Sequence, residues 1–174
     1  MLNSAYGSML NIQEQKKELR VRFIKERKAL GETACVAKSR AIEERVLVSS
    51  EFASANVIHV YLSTGFEVKT DRLIEKSIRL GKRVVVPDLS ERHPTKQVDL
   101  WILPAVACDT MGHRLGRGGG YYDRLLEGCV GKIICIVFDF QIVESLPFEP
   151  TDKNVDMIIT ESRTIICGEK NETN

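Results

Sequence analysis

From Ile133 to Phe138 the chain reads Ile-Ile-Cys-Ile-Val-Phe, six apolar residues in a row. A strand with one wet face alternates apolar and polar residues. A run this continuous has to be covered on both faces, as the central strand of a parallel sheet is. Similar short runs recur: Val57 to Leu62, closed by the turn signal Ser63-Thr64-Gly65; Arg83 to Val86, stopped by Pro87; Asp99 to Ala107; Val155 to Thr160; and a short Thr164 to Cys167. Pro104 inside the third of these marks a strand end or a bulge. Between the runs lie stretches that read as helices: Gln13 to Leu30, Thr33 to Phe52 and Asp71 to Leu80. A further helix to about Glu127 is expected before the fourth strand, and a turn or short helix over Ile142 to Ser145 after it. Strands alternating with helices at this spacing predict an α/β fold, a single-domain three-layer sandwich with a mainly parallel sheet and helices on both faces.

The finer pattern assigns faces. Ile12, Leu19 and Phe23 share one side of the first helix, and Lys17, Arg22, Lys25, Arg27 and Lys28 read as a solvated face. Ile42, Val46 and Phe52 point inward from the second helix; Leu73, Ile74, Ser77 and Ile78 do so from the third. Thr70 is placed as that helix's N-cap and Gly81 as its C′ residue. Asp88 to Val98 is polar and reads as a loop. With 174 residues, 43% hydrophobic and 28% charged, the chain suits one α/β domain over residues 9–168, with weakly ordered termini at 1–8 and 169–174. Met9 is an alternative start.

Net charge is +1, so no global field argues for a nucleic-acid or membrane partner. The apolar runs are too short to span a bilayer, and the N-terminus lacks a secretion signal. The five cysteines form no C-x-x-C pair, which argues against a disulfide framework or a zinc site. Cys108, Cys135 and Cys167, in apolar strand-like surroundings, read as small core residues, and the set suits a reduced, cytoplasmic protein. Oligomeric state is not legible.

Function is concentrated in Gly112 to Asp123, G-H-R-L-G-R-G-G-G-Y-Y-D. Glycines let a backbone turn its N–H groups on one anion, and Arg114 and Arg117 add planar cationic forks. No Lys-Ser or Lys-Thr follows a glycine as a P-loop requires, and Tyr121 stands where the dinucleotide fingerprint needs its third glycine. An RNA-binding segment of the Arg-Gly-Gly type would repeat in a tail, whereas this one occurs once between a strand and a helix. Ligands of parallel α/β sheets bind beyond the carboxyl ends of the strands. Glu67 and the glycine loop each follow a strand, Asp156 lies at or near one, and Lys16 and Arg20 project from one helix face. Each residue also has a plainer reading: Asp123 as a helix start, Asp156 as a strand edge, Glu67 as a loop charge, the tyrosines as packing and His113 as solvated.

The stretch L-P-A-V-A-C-D-x-x-G-H-R-L-G-R-G-G-G-Y-Y-D-R-L-L resembles the signature of the 5-formyltetrahydrofolate cyclo-ligases, also called methenyltetrahydrofolate synthetases. Supporting matches are Lys16-x-x-Leu19-Arg20, Leu62 with Glu67, and Asp152 to Glu161, so the resemblance runs from about Gln15 to Glu161. It implies an enzyme that uses Mg²⁺ and ATP to convert 5-formyltetrahydrofolate to 5,10-methenyltetrahydrofolate. By the same resemblance Lys16, Lys17, Glu18, Leu19 and Arg20, together with Arg114, Leu115, Gly116, Arg117, Gly118, Gly119, Gly120, Tyr121 and Tyr122, bind ATP. Leu62, Glu67 and Arg117 to Tyr121 border the folate, Asp123 and Asp156 hold Mg²⁺, and Lys16 and Arg117 assist catalysis. The chain departs from the pattern in three places: a shorter segment between Pro87 and Asp99, Cys108 where an aromatic is usual, and Thr151 where many bacterial members have His. The shortened segment leaves open a diverged ATP-binding relative acting on another small metabolite. A basic RNA or polyphosphate site is the non-enzymatic reading.

Overall fold

The computed structural model describes residues 2–87 and 97–168, and side chains from residue 11 onward. Helix α1 (Leu2–Ala29) is longer than the expected Gln13 to Leu30, and α2 (Glu32–Val48) follows across Gly31. The single helix expected over Thr33 to Phe52 is instead broken at Ser49. That residue is extended (φ −70°, ψ 147°), and its Oγ accepts from the Phe52 N–H at 3.3 Å, starting a short α3 (Ser50–Ser54). Strand β1 (Val57–Val60), α4 (Asp71–Arg79) and β2 (Arg83–Val85) come next. Thr70 stands at the N-cap of α4 as expected, but its side chain makes no capping bond. Its hydroxyl donates to the Tyr61 carbonyl at 2.8 Å and accepts from the Ser63 N–H at 3.2 Å, fastening the end of β1 to the start of the helix.

The run expected as one strand from Asp99 to Ala107 divides after Pro104 into β3 (Leu100–Pro104) and β4 (Ala107–Asp109). Between them the carbonyls of Ala105 and Val106 accept from buried Gln141 Nε2 at 3.0 and 2.8 Å, so the break leaves neither carbonyl bare. Then follow β5 (Arg114–Leu115), α5 (Tyr121–Leu125) and β6 (Lys132–Ile136). A 3₁₀ turn (Asp139–Gln141), β7 (Ile142–Val143), β8 (Met157–Ile159) and β9 (Thr164–Ile166) complete the described elements.

The main sheet has the order β2-β1-β3-β6-β8-β9, parallel throughout except for β9. Ile102 lies beside Ile134, and Ile134 beside Met157, in the centre of the sheet. One face is covered by α2, α3 and α4 over Ile58, Leu100, Ile134 and Ile159. The other carries Trp101, Leu103, Cys135 and Ile158 under Leu126 and the ends of α5. Ile42, Val46, Phe52, Leu73 and Ser77 are buried as expected, but Ile78 is exposed. A second, three-stranded sheet, β5-β4-β7, stands beyond the main one. Helix α1 packs on it through Phe23, which is fully buried with Val106, Ala107, Leu115 and Leu146. No described helix is long and apolar enough to cross a membrane.

Phe23 thus holds α1 to the sheet that carries the glycine motif. Phe23→Ala should destabilise the protein by about 3–5 kcal/mol, read as a lower chemical-denaturation midpoint with little change in slope.

Candidate functional site

The C-terminal ends of β1 and β3 open into a cleft of about 1110 Å³. Four segments line it: α1 through Gln13, Lys16 and Arg20; the loop after β1 through Leu62, Thr64 and Glu67; the glycine motif from Arg114 to Asp123; and the Glu149–Lys153 turn. This is where an open parallel sheet places its ligands.

The glycine motif has two halves. The first is structural. Buried Asp109 accepts from the N–H groups of Met111, His113 and Leu146 at 2.9–3.1 Å, and its Oδ2 lies 2.8 Å from His113 Nδ1. His113, expected to be solvated, is stacked on Phe148 at 4.0 Å. Gly112 has a φ of +91°, and a Cβ there would meet the Val155 carbonyl at 2.5 Å, so both conformation and space demand glycine. Arg114 and Leu115, read as loop from sequence, form β5 against β4, where both are buried. Arg114 Nη2 donates to Asp123 Oδ1 at 2.7 Å, fixing that carboxylate at the cleft wall.

The second half, Gly116 to Gly120, faces the cleft. Among the described residues no backbone hydrogen bond uses an N–H of these five residues. Gly118 has a φ of +102° and its Cα side lies 3.4 Å from the Arg20 guanidinium carbon, counted from where a Cβ would stand. Arg20 Nε donates to the Gly116 carbonyl at 2.9 Å, so α1 directly supports the loop. Unused amides and a supporting guanidinium make a concave, positive lining suited to an oxyanion.

Lys16 sits one helical turn before Arg20 and is 5% exposed. Its Nζ donates to Asp152 Oδ2 at 2.6 Å and Glu149 Oε2 at 2.8 Å. Burial alone would lower the Lys16 pKa, but the two carboxylates outweigh it and hold the value above the ordinary 10.5. Lys17 and Glu18 are exposed and Leu19 packs under the second sheet, so of the expected ATP-binding run only Lys16 and Arg20 reach the cleft. The helical period explains the exposure of Lys17 and Glu18, because neighbours at i+1 and i+2 leave the face that i and i+4 share, while Leu19 joins the Phe23 cluster.

Glu67 is 5% exposed, and its Oε2 accepts from the Thr64 N–H at 2.9 Å and the Thr64 hydroxyl at 3.2 Å. Across the cleft, Arg117 Nη2 reaches Glu67 Oε1 at 2.8 Å and Thr64 Oγ1 at 2.5 Å. The two residues expected to face different ligands are therefore bonded to each other. Leu62 lies at the cleft rim, half exposed, and Tyr121 and Tyr122 contact edge to face at 5.0 Å along its wall. Burial drives the Tyr122 hydroxyl pKa well up, so it stays a neutral donor.

Asp156 does not join this site. It precedes β8 at the N-terminal end of the sheet, where Oδ2 accepts from the Ile133 N–H at 2.8 Å and Oδ1 meets Lys132 Nζ at 3.3 Å. Asp123 lines the cleft and Asp156 does not, so the expected carboxylate pair is split across the two ends of the strands. Among the described residues no group of three His, Cys, Asp or Glu side chains is placed to hold a metal.

Arg27 is the clearest miss of the sequence reading. Read as part of a solvated face, it is 6% exposed and lies 3.9 Å from Glu67 Oε1. Its spacing carried the signal: Lys16, Arg20, Phe23 and Arg27 fall on one helical stripe. Gln13, Thr64, Glu149 and Asp152 were likewise not singled out for the site, yet all line the cleft. The shortened Pro87 to Asp99 segment falls mostly on residues 88–96, outside the described residues.

The chain is similar to known proteins over most of its length. The model of the 5-formyltetrahydrofolate cyclo-ligase family matches residues 12–97 and 88–161. A probable 5-formyltetrahydrofolate cyclo-ligase of Caenorhabditis elegans is 28% identical over 205 residues, covering 91% of this chain and 98% of that protein. The 5-formyltetrahydrofolate cyclo-ligase of Escherichia coli K12 is 29% identical over 155 residues, covering 68% and 85%. Among solved structures, a 5,10-methenyltetrahydrofolate synthetase of Aquifex aeolicus superposes with a TM-score of 0.80 at 24% identity, covering 92% of this chain and 96% of that one. A Mycoplasma pneumoniae 5,10-methenyltetrahydrofolate synthetase gives 0.75 at 25% identity, covering 84% and 98%.

The Lys16 ion pairs carry a pH signature. Because the folded pKa is raised, their contribution is fully present below the ordinary 10.5 and is lost as pH rises through the higher folded value. In thermal melts from neutral to strongly alkaline pH, the gap between wild type and Lys16→Met should stay constant up to the ordinary 10.5 and close as pH rises through the higher folded value.

Proposed function

The chain belongs to the 5-formyltetrahydrofolate cyclo-ligase family, and on that footing we propose that its cleft carries out the Mg²⁺- and ATP-dependent conversion of 5-formyltetrahydrofolate to 5,10-methenyltetrahydrofolate. ADP and phosphate are the other products. The observation that supports this most directly is the Arg117–Glu67 ion pair at 2.8 Å, which joins an oxyanion cradle to a buried carboxylate inside one cleft. Such a junction suits a reaction in which a phosphoryl group meets a nitrogen-rich ring.

The chemistry needs little more than positioning and charge. A formamide oxygen is a poor leaving group. Transfer of the terminal phosphoryl group of ATP to the formyl oxygen breaks the bond to ADP and turns that oxygen into phosphate ester. N10 then attacks the formyl carbon, loses its proton, and the carbon–oxygen bond breaks to release phosphate. Charge in phosphoryl transfer is spread over the phosphoryl oxygens, and neutralising it is the main catalytic work. Lys16, Arg20 and Arg117, with the N–H groups of Gly116 to Gly120, are the groups for that work. Glu67 accepts hydrogen bonds from the ring's N–H donors, and Leu62, Tyr121 and Tyr122 offer apolar contact beside it.

Mg²⁺ takes one or two carboxylates and fills its remaining positions with phosphate oxygens and water. Asp123 fits that demand: its side chain is 31% exposed at the cleft wall, and its hydrogen bonds from Arg114 and Lys153 use Oδ1. When bound there, the ion would neutralise phosphate charge; Asp156 has no part in holding it. Five free thiols and no disulfide suit the reducing cytoplasm, where we place this activity.

Purified protein incubated with ATP, Mg²⁺ and 5-formyltetrahydrofolate should generate the absorbance of methenyltetrahydrofolate. Arg117→Ala should lower kcat/KM by roughly two orders of magnitude, the scale of losing one transition-state charge partner. Asp123→Asn should lower it steeply, while Asp156→Asn should stay within about two-fold, in keeping with a change outside the reacting groups. A folded protein that binds ATP yet forms no methenyl product would overturn the assignment.

A further inference from the structure

A second cavity, of about 410 Å³, lies beside the cleft, with Thr64 and Arg117 lining both spaces. Its other walls include Ile24, Arg27, Lys28 and Phe66. Three cations therefore border it, and Glu67, the carboxylate paired with Arg117, lines the main cleft instead.

Arg27 makes this cavity unusual. It is 6% exposed, and its guanidinium makes no hydrogen bond among the described residues. Its ionic neighbour Glu67 is 3.9 Å away and already engaged by Arg117 at 2.8 Å and by Thr64. Burial draws the Arg27 pKa down; Glu67 opposes this and Arg117 adds to it. A cation taken out of water without hydrogen-bond acceptors is costly, and the cost is offset when an anion supplies them. A guanidinium is suited to a carboxylate, which it can bind with two parallel hydrogen bonds.

We propose that this cavity is an anion subsite for the carboxylate-bearing tail of the reduced folate whose ring lies against Glu67, an inference that rests on the function proposed above. A reduced folate is a fused ring joined through an aminobenzoyl linker to a glutamate with two carboxylates. With the ring at Glu67, a tail passing Thr64 and Arg117 ends beside Arg27 and Lys28. Ile24 and Phe66 give the linker apolar surface. Arg117 then separates the two compartments and faces both.

The test is calorimetric binding of 5-formyltetrahydrofolate and of its counterpart with the glutamate replaced by an uncharged amide, to wild type, Arg27→Gln and Lys28→Gln. Wild type should prefer the tail-bearing compound by roughly ten-fold or more, the scale of a charge-assisted hydrogen bond. Arg27→Gln should remove most of that preference while leaving the uncharged compound bound nearly as before. Lys28→Gln changes an exposed residue that does not threaten folding; it should reduce the preference by roughly two- to three-fold, and added salt should narrow it further. Equal weakening of both compounds by Arg27→Gln would make Arg27 only a counter-charge for Glu67 and overturn the subsite. So would an unchanged preference in either variant. Wild type that binds both compounds equally discards the subsite alone, whereas wild type that binds neither discards the folate reading with it.

Discussion

The site depends on a backbone constraint at Pro104. Proline cannot donate to a ladder, and β3 ends there, at the C-terminal edge of the main sheet. The chain then leaves that sheet and re-enters pairing as β4 of the second one. The exit exposes two carbonyls, and buried Gln141 satisfies both. Without that amide the break would leave unpaired acceptors in the interior, at a cost of about 1–3 kcal/mol each. Because the chain changes sheets here, the glycine motif arrives over the ends of β1 and β3 rather than continuing along the sheet.

Around that arrival the protein buries several charged side chains. Lys16, Arg27, Glu67, Asp109 and Arg114 are each less than a tenth exposed. Buried ions are poor sources of stability, because their desolvation consumes most of the attraction between them. Their value is positional: Asp109 shapes the first turn of the motif, Arg114 holds Asp123, and Arg117 and Thr64 orient Glu67. Groups fixed before a ligand arrives need no reorganisation when charge develops on it. Arg27 stands apart in having an ionic neighbour but no hydrogen-bonded acceptor among the described residues.

Much of this was legible in the residues themselves. The six-residue run at Ile133 fits the buried central β6, and the first strand falls where expected, although it ends at Val60, two residues before the end at Leu62 that the sequence suggested. The glycine motif could be recognised as a site because its length and composition leave few alternatives. Other features depended on contacts that periodicity cannot supply. Thr70 is a good cap by type, yet its hydroxyl is taken by Tyr61, a partner nine residues back in sequence. Ser49 divides a helix whose apolar pattern runs on uninterrupted. His113 looks like a loop residue until Asp109 and Phe148 close on it. Two-residue strands such as β5 carry no usable period at all.

Local chemistry was thus determined by the sequence: continuous apolar runs require a sheet covered on both faces, glycines permit the turns, and arginines supply permanent charge. Tertiary structure decided which charges meet. It placed Arg117 on Glu67, which are 50 residues apart in the chain, and sent Asp156 to the far end of the strands from Asp123. It also took Arg27 out of water. The physical reason is that residue type and spacing fix only near-neighbour geometry along a helix or strand. Distances between elements are set by how the sheets pack, and coulombic and hydrogen-bond energies depend on those distances and on burial.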